Sequence, residues 1–277
     1  MEINFFSCEI IEGFEAWAPK LARLNSGEFF HPEDFKKLVA FEDANFWYLS
    51  RNQLILWAMN HYFVKPERYA EIGCGTGFVL KAVQLAFPES IILGTDLFVE
   101  GLKYATQRCP RVKLVQMDAR AIPYRNEFNV VGIFDVLEHI ENDKMVLEQI
   151  SDSLVPGGGL LITVPQHKWL WSSVDEADCH VRRYSAQELE NKVSNAGFEI
   201  LRSTSFVSLL LPMMAVARLL RPKASSEVAQ ELNISRVSNW CFGKIMAVEF
   251  NLIRLGIDFM LGGSRLLIAR KKFIDPL

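Results

Sequence analysis

The chain reads as an α/β protein with one doubly wound, mostly parallel sheet and helices on both faces. Three observations carry that reading. From Tyr69 onward short apolar runs alternate with helical segments, as βαβ units require. A glycine cluster, Gly73-Cys74-Gly75-Thr76-Gly77, stands between the first of those runs and the next helix. The composition, 50% hydrophobic and 23% charged over 277 residues, suits one large globular domain with a sizeable core.

Residues 1–64 return apolar side chains at helical spacing through Phe35, Leu38, Val39, Phe46, Leu49, Leu54, Trp57 and Ala58, which predicts an N-terminal helical cap closed by Pro66. The core, 65–205, is expected to place strands near 69–72, 91–95, 112–116, 129–134, 159–164 and 198–202. Helices fit 77–86, 98–108, 142–154 and 185–196. Asn142 and Asp143 are N-cap candidates for the third, which ends before Pro156-Gly157-Gly158-Gly159. Then the rhythm breaks. Residues 206–221 and about 236–261 read as a helical insertion around the polar stretch Lys223 to Asn233, and 262–277 hold a last strand at Ser264 to Arg270.

Thirty Lys and Arg against 33 Asp and Glu leave a net charge of −3, so no bulk positive field exists to attract nucleic acid. The five cysteines are scattered without a CxxC pair, which argues against a disulfide framework and a zinc ribbon. The N-terminus carries acids where a secretory signal has bases, and the longest uncharged apolar run, within Phe206 to Ala217, falls short of the ~18 residues of a membrane span. A cytoplasmic protein is expected. Peripheral membrane contact is a further expectation, through 206–223, where an apolar stripe including Leu209, Leu210, Met213, Met214 and Val216 runs into Arg218, Arg221 and Lys223. Burial of that stripe against Trp240, Ile245, Val248, Leu252, Leu255 and Phe259 is the plainer reading.

The chemistry concentrates at Glu71-Ile72-Gly73-Cys74-Gly75-Thr76-Gly77. Glycines there permit positive φ and close backbone approach, and the helix N-terminus after them offers unpaired N–H donors. Asp96, 23 residues after Gly73 and at a strand end, is placed to hold both hydroxyls of a ribose. It could also merely cap the next helix. Together loop and acid point to a nucleoside-containing ligand. The dinucleotide fingerprint is G-x-G-x-x-G, and here Phe78 stands where its last glycine would fall, so a nicotinamide-dependent dehydrogenase is the runner-up.

From about Ala70 to Leu201 the chain resembles the class I S-adenosylmethionine-dependent methyltransferases. The family's acid before the glycine loop matches Glu71, its ribose acid matches Asp96 with Leu97 beside it, and its adenine-binding acid matches Asp118 in Gln116-Met117-Asp118-Ala119. Its fourth-strand segment matches Val130 to His139, with Phe134 and Asp135 at the cofactor side, and Leu154-Val155-Pro156-Gly157-Gly158-Gly159 matches the turn into its fifth strand. The resemblance implies a Rossmann-like seven-stranded sheet, S-adenosyl-L-methionine held by Glu71, Gly73, Cys74, Gly75, Gly77, Asp96, Leu97, Asp118, Ala119, Phe134 and Asp135, and methyl transfer. Asp135 to His139 is similar to the small-molecule group that includes the ubiquinone-pathway O-methyltransferases, which implies oxygen, more than nitrogen, of a small or lipid-like acceptor. A Pro-Pro-aromatic motif of amino-methylating DNA enzymes is replaced by Val136 and Leu137.

His139, His167 and His180 fall above the carboxyl ends of strands and are candidate bases, His139 first because it lies directly after the fourth-strand segment; each could instead be a structural hydrogen-bonder. With Asp175 and Asp178 they show no tight ligand spacing, so no metal is expected. Arg182 and Arg183 could clamp an acidic acceptor or form a solvated face. Trp169, Trp171 and Phe46-Trp47-Tyr48 read as core, or as walls of an acceptor pocket. Cys74 reads as a space filler. A non-catalytic adenosylmethionine-binding subunit, with its insertion holding a partner, is the rival from another class.

Overall fold

The computed structural model describes residues 8–22, 32–220 and 234–273. Its sheet is built from β1 (Glu9–Ile11), β2 (Phe14–Ala16), β3 (Arg68–Ile72), β4 (Ile91–Asp96), β5 (Lys113–Gln116), β6 (Phe128–Phe134), β7 (Leu154–Pro165), β8 (Phe198–Phe206) and β9 (Ser264–Lys271). The strands lie in the order β1-β2-β5-β4-β3-β6-β7-β9-β8, parallel from β2 to β7 and antiparallel at β1 and at β9. The sheet has nine strands, not seven. All seven expected runs are strands, and the two extra ones come from the N-terminal region read as helix. There Glu12 and Gly13 have φ of 50° and 91°, the geometry of a two-residue hairpin turn, so Glu9–Ile11 folds back on Phe14–Ala16. The fully buried Gln116 side chain fixes the chain just past β2, accepting from the Ala18 N–H (3.1 Å) and donating to the carbonyls of Ala18 and Leu97.

Alternation along the strands sorts side chains onto two faces. Tyr69 and Val130 join α3 (Phe46–Tyr62), α4 (Phe78–Ala86) and α5 (Val99–Arg108) through Leu54, Met59, Leu80, Val83 and Leu102. Ala70, Ile72, Val131 and Ile133 join α6 (Asp143–Ser153) and α8 (Ala186–Asn195) through Val146, Leu147, Ile150, Leu189 and Val193. Before α3 lie α1 (Pro19–Ala22) and α2 (Pro32–Glu42); α7 (Ser173–Ala177) sits between β7 and α8.

The insertion is two helices, α9 (Leu211–Leu220) and α10 (Arg236–Arg254). Leu210 is buried, Met246 and Ile253 join the same core, and Met214 packs against it. Half of the stripe is therefore core, while Leu209, Met213, Val216, Trp240, Val248 and Leu255 are exposed. Arg221 and Lys223 lie outside the described residues. Glu249 of α10 accepts the N–H groups of Ser208 and Leu209, both at 2.7 Å, and so fixes the entry to α9. Asn239 of α10 reaches the other way: its Oδ1 accepts the Phe46 N–H (2.8 Å) and its Nδ2 donates to the Ala44 carbonyl (2.9 Å), so the insertion caps α3. Among the described residues no helix is long and apolar enough to cross a membrane.

The segment between β7 and α8 is anchored from below. The buried Tyr184 hydroxyl donates to Asp143 Oδ2 at 2.6 Å, and the same oxygen takes Lys192 (2.5 Å) and Arg182 (2.7 Å). Lys192, the Tyr184 hydroxyl and Arg182 hold the Asp143 carboxyl below its usual range although it is buried. A hydrogen bond to a charged group contributes about 1.5–3 kcal/mol, so Tyr184→Phe should lower unfolding stability by that amount. A denaturant titration with unchanged slope and unchanged midpoint would remove Tyr184 as the anchor.

Candidate active site

The glycine loop leaves the C-terminal end of β3, at the point where connections to β4 and β6 depart in opposite directions, the place where open α/β sheets bind ligands. Gly73, Gly75 and Gly77 have φ of 73°, 51° and 78°. A Cβ on Gly73 would lie 2.3 Å from Val136 Cγ2, so the loop backbone packs directly on the segment after β6. A Cβ on Gly75 would meet only Phe35, at 3.9 Å. That side of the loop is open to a ligand.

Asp96 ends β4 buried. Its Oδ2 accepts the Gly75 N–H (2.8 Å) and its Oδ1 the Phe98 N–H (2.9 Å), so it shapes the loop and caps the α5 entry at once. A carboxylate offers about four acceptor positions, which leaves two for a pair of hydroxyls. Burial pushes Asp96 up to about 6, against the lowering by those backbone donors. Burial pushes the neighbouring Glu71 to about 8; its Oε2 accepts the Tyr69 hydroxyl at 3.2 Å, and Arg51 lowers it in part. Cys74 is buried with its thiol pushed well above the usual range, which fits the space-filling role. Asp118 is buried, but its carboxylate holds Arg120 through both oxygens (3.0 and 2.7 Å) and the Arg120 N–H. Ala119 and Phe134 are buried beside it and at the end of β6, and Leu97 is half-buried.

Three residues that no sequence motif marks complete the loop. Glu42 of α2 accepts from the Thr76 hydroxyl (2.6 Å) and from Arg108 of α5 (2.6 Å), latching helix to loop. Arg51 of α3 pairs with Asp135 Oδ2 and lies over the rings of Trp47 (4.6 Å) and Tyr48 (5.6 Å). Asp135, in a left-handed conformation with φ of 55°, also accepts the Thr163 hydroxyl at 2.9 Å. The readable sign was Phe46-Trp47-Tyr48 with Arg51 one turn later on the same helix face. Trp47 and Tyr48 thus border the site. Trp169 and Trp171 instead stand exposed, 59% and 38%, and are not core.

Beyond Asp135 a short 3₁₀ turn, Leu137–His139, brings His139 against His180, with ring centroids 4.8 Å apart. The Val181 N–H donates to the Glu138 carbonyl (2.8 Å) and so joins the two segments. Potential donor atoms of Glu138, His139 and His180 all lie within 4.8 Å of one another. The expectation of no metal rests on sequence spacing, and chain crossing supplies the proximity that spacing does not. Burial and the neighbouring His180 lower His139 to about 4. His167 is not in this group: its ring stacks on Trp169, and burial with Arg265 and Arg183 lowers it. Arg182 and Arg183 are neither a clamp nor a solvated face. The first is held by Asp143 and the Glu141 carbonyl, and the buried second by Asp175 (2.6 Å) and the Gln166 carbonyl.

A glycine loop at the sheet's switch point, with a buried strand-end acid beyond it, defines a Rossmann-like nucleoside-binding protein. The chain belongs to the methyltransferase domain family, which it matches over residues 48–203, and thus to the class I S-adenosylmethionine-dependent group rather than the dehydrogenases. It is 28% identical to a trans-aconitate 2-methyltransferase of Methylobacterium nodulans over 102 residues, 37% of this chain and 40% of that protein. It is 25% identical over 161 residues to a probable S-adenosylmethionine-dependent methyltransferase of Mycolicibacterium smegmatis, 57% of this chain and 61% of that one. The matches thus span less than two thirds of these relatives. The Haemonchus contortus phosphoethanolamine N-methyltransferase 2, solved with phosphomonomethylethanolamine and S-adenosylhomocysteine, shares the fold at a TM-score of 0.59 and 18% identity, covering 91% of this chain and 60% of that one.

The residues fit S-adenosylmethionine: Asp96 keeps acceptor capacity for a ribose, the open side of Gly75 leaves room for the backbone to be approached, and Glu71 is a buried carboxylate for a cation. Loss of the Asp96 carboxylate removes about 2–3 kcal/mol, so Asp96→Ala should weaken cofactor binding roughly 30- to 150-fold. Calorimetry on a folded variant with unchanged affinity would remove the assignment. The pH dependence stems from Glu71. In the free protein it holds a proton below about 8, and a cationic sulfonium favours its ionised form, so binding below that pH releases a proton. Cofactor affinity should climb as pH rises through about 6, where Asp96 ionises, and on through about 8, then level off. Glu71→Gln should abolish the upper rise; an identical profile in that variant would refute the linkage.

Proposed function

We propose that the protein transfers a methyl group from S-adenosylmethionine to an oxygen of a small or lipid-like acceptor. One observation carries this reading: the glycine loop packs on Val136, and Glu138 and His139, two and three residues further along the same segment, meet His180 in a cluster of polar side chains. Bound cofactor supplies a methyl on a cationic sulfur. This chain's residues supply position and proton handling. Glu71, the glycine loop and Asp96 hold the cofactor, with Asp118, Ala119, Leu97 and Phe134 around its base, and Arg51 pairs with Asp135 at the start of the segment that leads to His139.

The preference for oxygen comes from acid–base chemistry. A hydroxyl must lose its proton during transfer, and burial and His180 keep His139 neutral at neutral pH, with one ring nitrogen unprotonated. With a pKa of about 4 it is a weak base at rest, but a hydroxyl becomes strongly acidic as its carbon–oxygen bond forms, so a weak base suffices. His180 stands next to it to share the role. The insertion acts on the acceptor side through α3, because Asn239 of α10 caps the helix whose first turns carry Trp47, Tyr48 and Arg51.

The test is a labelled-methyl transfer assay against panels of hydroxyl, carboxyl and amine acceptors. Transfer to a hydroxyl is expected, with His139→Ala lowering kcat roughly 100-fold while cofactor affinity holds. Asn239→Ala should raise KM for the acceptor and spare cofactor binding. Transfer to amines alone would overturn the oxygen assignment, and a stable heterocomplex with no turnover on any acceptor would favour the non-catalytic subunit.

A further inference from the structure

Glu138 is fully buried, and neither of its carboxylate oxygens accepts a hydrogen bond from another residue. A buried carboxylate without a partner is costly, and the charges near it are committed elsewhere. Arg51 is paired to Asp135 and Arg183 to Asp175. Two imidazoles face it, with donor atoms of Glu138, His139 and His180 within 4.8 Å of one another. His180 is already oriented: its Nδ1 is 2.9 Å from Asp175 Oδ1, which fixes the ring and leaves Nε2 as the free nitrogen. Asp175 is itself fully buried, held by Arg183 and the Ser172 N–H. A carboxylate behind a histidine is the arrangement that orients metal-ligating imidazoles.

We infer that Glu138, His139 and His180 form a binding site for one divalent first-row transition metal ion, with Asp175 orienting His180. Two imidazoles and one carboxylate are a donor set for zinc, cobalt, manganese or iron, unlike the all-oxygen sets that magnesium and calcium prefer. Three protein donors leave at least one coordination position open. The positive ion gives the two unsatisfied Glu138 oxygens a partner. The ion takes the same His139 lone pair that accepts a proton in the metal-free protein, so its binding is measured apart from methyl transfer.

Cobalt(II) is the probe, because its visible bands report both coordination and ligand type. The full chain, stripped with chelator, should bind one equivalent of Co²⁺ with visible d–d bands and no thiolate charge-transfer band, since the set contains no sulfur. Zn²⁺ should displace it, while Mg²⁺ in excess should not. Glu138→Gln and His180→Asn should each remove the bands, and Asp175→Asn should weaken binding roughly 10- to 100-fold. His180 is only partly buried, so His180→Asn keeps the test decisive if Glu138→Gln fails to fold, as circular dichroism would reveal. Absence of stoichiometric binding, bands undiminished in folded His180→Asn, or a thiolate band from nearby Cys179 would each overturn the assignment.

Discussion

The ion pair between Arg51 and Asp135 organises the ligand end of this sheet. Glu71, Asp96, Asp135 and Glu138 converge where the central strands end and water is largely excluded. Crowded carboxylates in such a place raise one another's pKa and resist burial. Arg51 answers that by pairing with Asp135 and lowering Glu71 and Glu138 in part. Its own position is fixed by the rings of Trp47 and Tyr48 beneath the guanidinium. The left-handed backbone at Asp135 is held by the Thr163 carbonyl, which accepts the Asp135 N–H at 2.8 Å. One cation thus joins a helix from the N-terminal region to the strand end that faces the glycine loop.

The two sides of that ion pair differ chemically. On the loop side, acids with raised pKa values and spare acceptor capacity are ready for a cation and for hydroxyls. On the histidine side, two imidazoles lie against a buried carboxyl group whose oxygens accept no hydrogen bond. A sheet switch point normally offers one ligand pocket. Here the part-buried Arg51–Asp135 pair is followed directly along the chain by Val136, which packs on the glycine loop, and by Glu138 and His139, which meet His180.

What was legible in the sequence was what is local in the chain. Glu71, the loop glycines and Asp96 lie within one βαβ unit, so spacing alone placed them at the carboxyl ends of two neighbouring strands. The seven longer strands showed as apolar runs because both faces of the sheet are covered. The hairpin at Glu9–Ala16 has only three residues a side, too short for alternation to register, and its Glu12-Gly13 turn was the one available sign. Arg51, Glu42 and Arg108 escaped because a charged residue on an amphipathic helix looks solvated until its partner, 84 residues away for Arg51 and 66 between Glu42 and Arg108, is known. The same distance effect hid the meeting of His139 with His180. Arg182 and Arg183 looked like a free basic pair because Asp143 and Asp175, which neutralise them, gave no sequence sign of contact.

Asn239 capping the α3 entry places a late part of the chain in charge of an early one. The bond from the Phe46 N–H to Asn239 Oδ1 spans 193 residues, and a closure of that length comes after the local βαβ units have formed. During synthesis the glycine loop and Asp96 are therefore available well before the first turn of α3 is locked. A growing chain can present the nucleoside half of its pocket while the half governed by Trp47, Tyr48 and Arg51 is still unset. Until α10 is made, the Phe46 N–H and the Ala44 carbonyl lack their Asn239 partner.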